Sequence, residues 1–140
     1  YCGENRLCLR QRGIDRGEKA MQNIRPQVCQ ALEGALAGKA AVYQVYPAAE
    51  AAPPLAVFQE IQNHPLAQAD GQEYLTEILY QIDLYAETTQ EADALAPAVE
   101  KALTALGLAR TLCRDAQADG CRQKTLCYRA VLDPQGRISQ

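Results

Sequence analysis

Apolar and polar side chains alternate along Glu73–Ala86: Tyr74, Ile78, Tyr80, Ile82 and Leu84 share one parity with Thr76, while Glu77, Gln81 and Asp83 fall on the other. A period of two marks a strand buried on one face. The period then changes. Ala92, Leu95, Val99, Ala102, Leu103 and Leu106 recur at helical spacing, which predicts an amphipathic helix. Thr88-Thr89-Gln90-Glu91 opens it as a capping box, in which the Thr88 hydroxyl accepts from the third helical amide and Glu91 reaches back to the cap amide. Gly107 closes it, because glycine takes the left-handed conformation at little cost.

Upstream, Ile24, Val28, Leu32, Ala35 and Leu36 mark the buried stripe of a first helix, with Asn23 as predicted cap, Pro26 in the first turn and Gly38 at the end. Gly34 and Gly38 form a small-xxx-small pair suited to close helix–sheet contact. Ala41–Tyr46 reads as a strand broken by Pro47, and Pro53-Pro54 leads into a second strand over Leu55–Gln62. Here Leu55, Val57 and Ile61 alternate with Ala56, Phe58 and Gln62. His64-Pro65 through Asp70-Gly71 is rich in turn residues and predicts a loop. After the second helix, Leu108–Asp115 and Cys121–Leu132 predict a hairpin reversing near Ala118-Asp119-Gly120, with Leu126, Tyr128, Ala130 and Leu132 toward the core. Asp133-Pro134-Gln135-Gly136 is a further turn signal. The order helix, two strands, long strand, helix, hairpin defines an α+β fold.

With 140 residues, 48% of them hydrophobic, the chain suffices for one core without covalent staples. No apolar run approaches the roughly 18 residues of a membrane span, so no membrane contact is expected. Tyr1–Ala20 is charged and lacks the apolar region of a secretory leader. These residues read either as a basic N-terminal arm or as a non-native extension, because Gly17-Glu18-Lys19-Ala20 before Met21 could be purine-rich codons ahead of a start codon. Charge is unevenly placed: residues 21–107 carry three basic and eleven acidic side chains, net −8, and residues 108–140 carry six basic and three acidic, net +3. An acidic body argues against a dedicated duplex-DNA binder, whose affinity depends on neutralising phosphates. It suits a protein that meets other proteins or lets DNA pass without gripping it.

The inventory of reactive groups leaves little room for catalysis. Ser139 is the only serine and His64 the only histidine, so a Ser-His-Asp triad would have to form around a chain end. A Cys–His pair using His64 remains arithmetically possible, although an exposed loop histidine is the simpler expectation. Glu73 and Glu77 share a strand face about 13 Å apart, too far for a carboxylate pair working on one bond. No glycine-rich phosphate loop occurs. The cysteines, Cys2, Cys8, Cys29, Cys113, Cys121 and Cys127, lack short zinc-knuckle spacing and are expected to be reduced, structural thiols. No cofactor and no metal are expected. Tyrosines interleaved with basic residues could stack bases, but such residues more often tile sheets and protein interfaces. The candidate partner surface is the basic hairpin, through Arg110, Arg114, Arg122, Lys124 and Arg129.

The Val45-Tyr46-Pro47 strand end, the proline pair leading into Val57-Phe58-Gln59, the Ile82-Asp83-Leu84-Tyr85-Ala86 strand end and the helix opening Thr89-Gln90-Glu91-Ala92-Asp93-Ala94-Leu95 resemble the tail-completion or tail-terminator family of long-tailed bacteriophages. The resemblance spans about Ile24–Leu132. It implies that residues 21–140 form one tail-terminator-like domain, a small and mostly antiparallel sheet with two helices packed on one face and a C-terminal β-hairpin. It further implies a non-enzymatic virion protein of the tail or neck, assembled in the host cytoplasm as a homo-oligomeric, hexameric ring. Such a ring would end the tail tube and join it to the head connector, while DNA passes through without sequence-specific binding. Residues 1–20 have no counterpart in that pattern. Two alternatives remain: a neck or head-completion protein on the portal side, distinguished by its partner, and a small cytoplasmic enzyme or thiol protein, distinguished by a low-pKa cysteine.

Overall fold

The stretch with the cleanest alternation lies in the middle of the sheet. In a computed structural model of the chain, which describes residues 22–44, 52–69, 72–118 and 121–138, the sheet comprises β1 (Ala41–Tyr43), β2 (Leu55–Ala69), β3 (Gln72–Ala86), β4 (Ala109–Ala118) and β5 (Cys121–Leu132). Their spatial order is β1-β2-β3-β5-β4. Only β1 and β2 are parallel; the other neighbours are antiparallel. Two helices, α1 (Arg25–Ala35) and α2 (Thr89–Leu106), pack on one face. The fold is therefore the α+β arrangement that the pattern predicts, with β4 and β5 as its C-terminal hairpin.

Thr76, Ile78, Tyr80, Ile82 and Leu84 of β3 are all buried, as their shared parity requires. Across from them on β5 lie Leu132, Ala130, Tyr128, Leu126 and Lys124, and residues directly opposite in an antiparallel pair share a face. Leu126, Tyr128, Ala130 and Leu132 accordingly join the same core. Val28, Leu32 and Leu36 from the α1 segment and Leu95, Val99 and Leu103 of α2 close it from above. Tyr80 and Tyr128 are fully buried, yet their hydroxyls reach the rim: Tyr80 donates to Glu60 Oε1 at 2.8 Å and Tyr128 to Glu100 Oε1 at 2.6 Å. Burial first, and the neighbouring carboxylate second, push both phenols above the usual tyrosine range.

The helix boundaries follow local chemistry. Thr88 Oγ1 accepts from the Glu91 amide at 3.1 Å, while Glu91 Oε1 accepts from the amide of Glu87, one residue ahead of the predicted reciprocal bond. Gly107 ends α2 at φ 103°, with the Leu108 amide bonded to Leu103 O. Pro97 lies inside α2 and supplies no amide to the helix. At α1 the cap position is Ile24, one residue later than predicted, although Asn23 Oδ1 still accepts from the Arg25 amide at 3.0 Å.

The loop predicted after His64 is instead strand. β2 continues through His64 and Pro65 to Ala69, paired with the first half of β3 and interrupted by register shifts at Glu60/Gln62, Pro65/Ala67 and Ala67/Gln68. Beyond Val57 it has no neighbour on its β1 side among the described residues. A proline costs little on an edge strand beside a bulge. β4 likewise extends to Ala118, three residues past the predicted end. The Met21 start, the arm at residues 1–20, the Val45-Tyr46-Pro47 strand end and the reversals at Asp70-Gly71 and Asp119-Gly120 lie outside the described residues.

Candidate assembly interface

The five basic residues predicted as a partner surface occupy one hairpin but two faces of the sheet. Arg110 is paired with Tyr128, Lys124 with Leu84 and Arg122 with Ala86, which puts all three on the helix-bearing side. Arg114 is opposite Thr125, and Arg129 opposite Leu79, which puts these two on the other side. Alternation along a strand forces this division.

Three of the five charges are also committed internally. The Lys124 ammonium, with its side chain 12% exposed, lies 2.7 Å from Asp115 Oδ1 and 3.1 Å from Asp93 Oδ1. Hydrogen bonds to Asp115 and then Asp93 hold its pKa above the ordinary lysine value against the opposing effect of burial. Arg110 Nε lies 3.1 Å from Glu100 Oε1, the oxygen that also accepts from Tyr128. Arg129 pairs with Glu77, which His64 Nε2 approaches at 3.4 Å. His64 is thus on a strand beside a carboxylate and not in a loop. Arg114 and Arg122 are exposed and form no ion pair with any described residue. Of the predicted set, these two are the cations left without an ion pair among the described residues.

On the face away from the helices, Asp83 is 6% exposed although no cation pairs with it among the described residues. Neutral donors hold it instead. Thr125 Oγ1 donates to Oδ1 at 2.7 Å, Gln123 Nε2 donates to Oδ1 at 3.1 Å, and Gln81 Nε2 donates to Oδ2 at 3.0 Å. Asp83 and Thr125 are direct cross-strand partners, with Gln81 and Gln123 two positions along their own strands. The sequence pattern labels Asp83 only as an outward polar residue; its partners become visible once β3 and β5 are in register. The thiol of Cys127 shares this face, and burial, followed by the charge of Asp83, pushes its pKa up.

β4 forms one margin of the sheet and is exposed throughout residues 109–116, including Leu112 at 41% and the free thiol of Cys113. Beside it, Ala96 and Pro97 of α2 with Cys113 and Leu126 line an apolar groove of about 220 Å³, and the Arg110–Glu100 pair stands at its rim. Cys121 and Cys127 are also free, whereas Cys29, expected as a reduced thiol, is disulfide-bonded. Among the described residues no group of three or more His, Cys, Asp or Glu side chains could hold a metal ion, and no helix is long and apolar enough to cross a membrane.

Among the described residues this arrangement presents polypeptide surface, with an open strand edge, two guanidinium groups in no ion pair and an apolar groove, and gathers no nucleophile with a base. No curated protein matches the chain significantly. The family described as tail completion protein gp17 matches residues 26–139, far more than half of the chain. The chain belongs to that family, and is thereby a structural protein of the bacteriophage tail.

Proposed function

We propose that residues 21–140 form the working domain of a tail terminator: six copies assemble as a ring on the head-proximal end of the tail tube, end its polymerisation and join it to the head connector. One ring face meets the tube protein and the other the connector, and DNA passes through the lumen without sequence-specific contact. The observation that carries this reading is the sheet margin at β4, exposed over residues 109–116 beside Arg114 and Arg122, which form no ion pair with any described residue. A monomer gains nothing from a long open strand edge, which invites uncontrolled pairing; a ring subunit uses such an edge for assembly. Arg114 and Arg122, on opposite faces of the hairpin, are the proposed contact cations, with Arg110, Lys124 and Arg129 holding the hairpin's shape through their internal pairs. The net −8 of residues 21–107 against the net +3 of residues 108–140 further supports two unlike surfaces.

The test is assembly with and without this chain. Tails formed in its absence should lack a defined end and fail to join heads, and adding purified chain should restore joining. Tails of uniform length that join heads without it would refute the proposal. Binding to the portal side alone, with no affinity for tube ends, would assign the chain to head completion instead.

A further inference from the structure

The sheet ends in two edges of opposite direction. β1 runs parallel to β2, and each later neighbour reverses, so β4 runs opposite to β1. A second copy set alongside in the same orientation therefore brings its β1 antiparallel to β4 of the first, the more stable sense of strand pairing. We infer that the contact between copies is this pairing: β4 of one copy adds to β1 of the next, and the sheet continues from subunit to subunit. The inference rests on the ring reading above and names the surface that closes the ring.

Four observations point to a second copy as the occupant. First, residues 109–116 of β4 are all exposed, β4 is paired on one side only among the described residues, and its sequence ARTLCRDAQA contains no proline to deny a backbone donor to a neighbouring strand. Second, the faces agree. Cys113 is opposite Leu126 and Val42 opposite Ala56, and both partners belong to the core under the helices, so Cys113 and Val42 can stand opposite one another in a continued sheet without either changing side. Third, the apolar groove between α2 and β4 lies where the helix layer stops short of the sheet margin. α1 packs beside β1 in its own subunit, so a neighbour's β1 carries its α1 toward that groove. Fourth, a head-to-tail contact sets the net +3 hairpin of one copy against the body of the next, whose residues 21–107 carry net −8, and Arg114 and Arg122 form no ion pair with any described residue. Because the two edges differ, the contact is heterologous, the type that builds a ring when the rotation between copies closes.

The test places single cysteines on β1 of the full chain, as Ala41→Cys, Val42→Cys and Tyr43→Cys, each with the natural Cys113 and again with Cys113→Ser. In rings formed in solution or isolated on tails, mild oxidation should give Val42→Cys a ladder of covalent multimers, while Ala41→Cys and Tyr43→Cys, on the opposite face of β1, should give none. Peptide mapping should join the new cysteine to Cys113 of another copy, and Cys113→Ser should abolish that bridge. Backbone amides of residues 109–116 should also exchange about tenfold more slowly in rings than in the monomer. Rings visible by electron microscopy with no bridge to Cys113 from position 42, and with these amides unprotected, would overturn the inference and leave the ring reading intact. Strict monomers on completed tails would overturn both.

Discussion

Replacing Thr125 by valine isolates the hydroxyl that anchors the polar network on the face away from the helices. Valine keeps the branched shape and its χ1 preference, so packing is retained while the bond donated to Asp83 is lost, together with a long one, 3.4 Å, accepted from Gln123 Nε2. The donated bond, 2.7 Å from Thr125 Oγ1 to Asp83 Oδ1, runs between side chains of residues only 4% and 6% exposed. Hydrogen bonds to charged groups contribute about 1.5–3 kcal/mol. Asp83 keeps Gln123 and Gln81 as donors, and the added methyl recovers a little burial energy, so the net loss should be about 2 kcal/mol. With about 4 °C per kcal/mol for a chain of this size, Tm should fall by about 8 °C. Thermal and urea unfolding followed by circular dichroism measure it, with an unchanged urea slope certifying that the native state is intact. Thr125→Ser keeps the donor and sheds one methyl, a loss of about 0.8 kcal/mol. Valine as stable as threonine, or serine less stable than valine, would refute the assignment of this bond as a net stabilising contact.

Other consequences are more local. Pro97→Ala should raise stability by about 1–3 kcal/mol in urea titrations, because alanine restores an amide inside α2 and removes the ring's clash with the preceding turn. Cys127 should react with disulfide reagents more slowly than the exposed Cys113 at neutral pH, as mapped by mass spectrometry, since burial and Asp83 raise its pKa. A thiol pKa raised on folding contributes stability that is fully present below the unfolded value of about 8.5 and is lost as pH rises through the folded value, so this contribution fades only under alkaline conditions. Arg114→Glu with Arg122→Glu should change unfolding free energy by less than about 0.5 kcal/mol, as exposed unpaired sites do, yet prevent tail completion, as counted by joined particles. Milder Arg→Gln changes should give a defect that deepens with salt.

Secondary structure was legible wherever a residue's neighbours in sequence decide its state. The parity of Tyr74–Leu84, the Thr88 cap and the Gly107 stop depend on periodicity and on bonds spanning a few residues, and all three appear at their expected places except that the side chain of Tyr74 lies outside the described set. The continuation of β2 through His64-Pro65 was not legible, because it depends on pairing with β3 and on being an edge strand there. The basic hairpin was legible as a cluster of charge but not as two faces. Which arginine points outward is settled by cross-strand register, and whether it is free is settled by acids on other elements, as Glu100, Glu77 and Asp93 are for Arg110, Arg129 and Lys124. Asp83 escaped notice for the same reason: its donors on β5 lie about forty residues away along the chain.

The most direct test of the central proposal is electron cryomicroscopy of the head–tail junction of intact particles, with this chain identified in the density. The account predicts six copies in one ring on the last tube ring, beneath the connector, with β4 of each copy against β1 of the next. A single copy, or density for this chain at any other place in the particle, would contradict it.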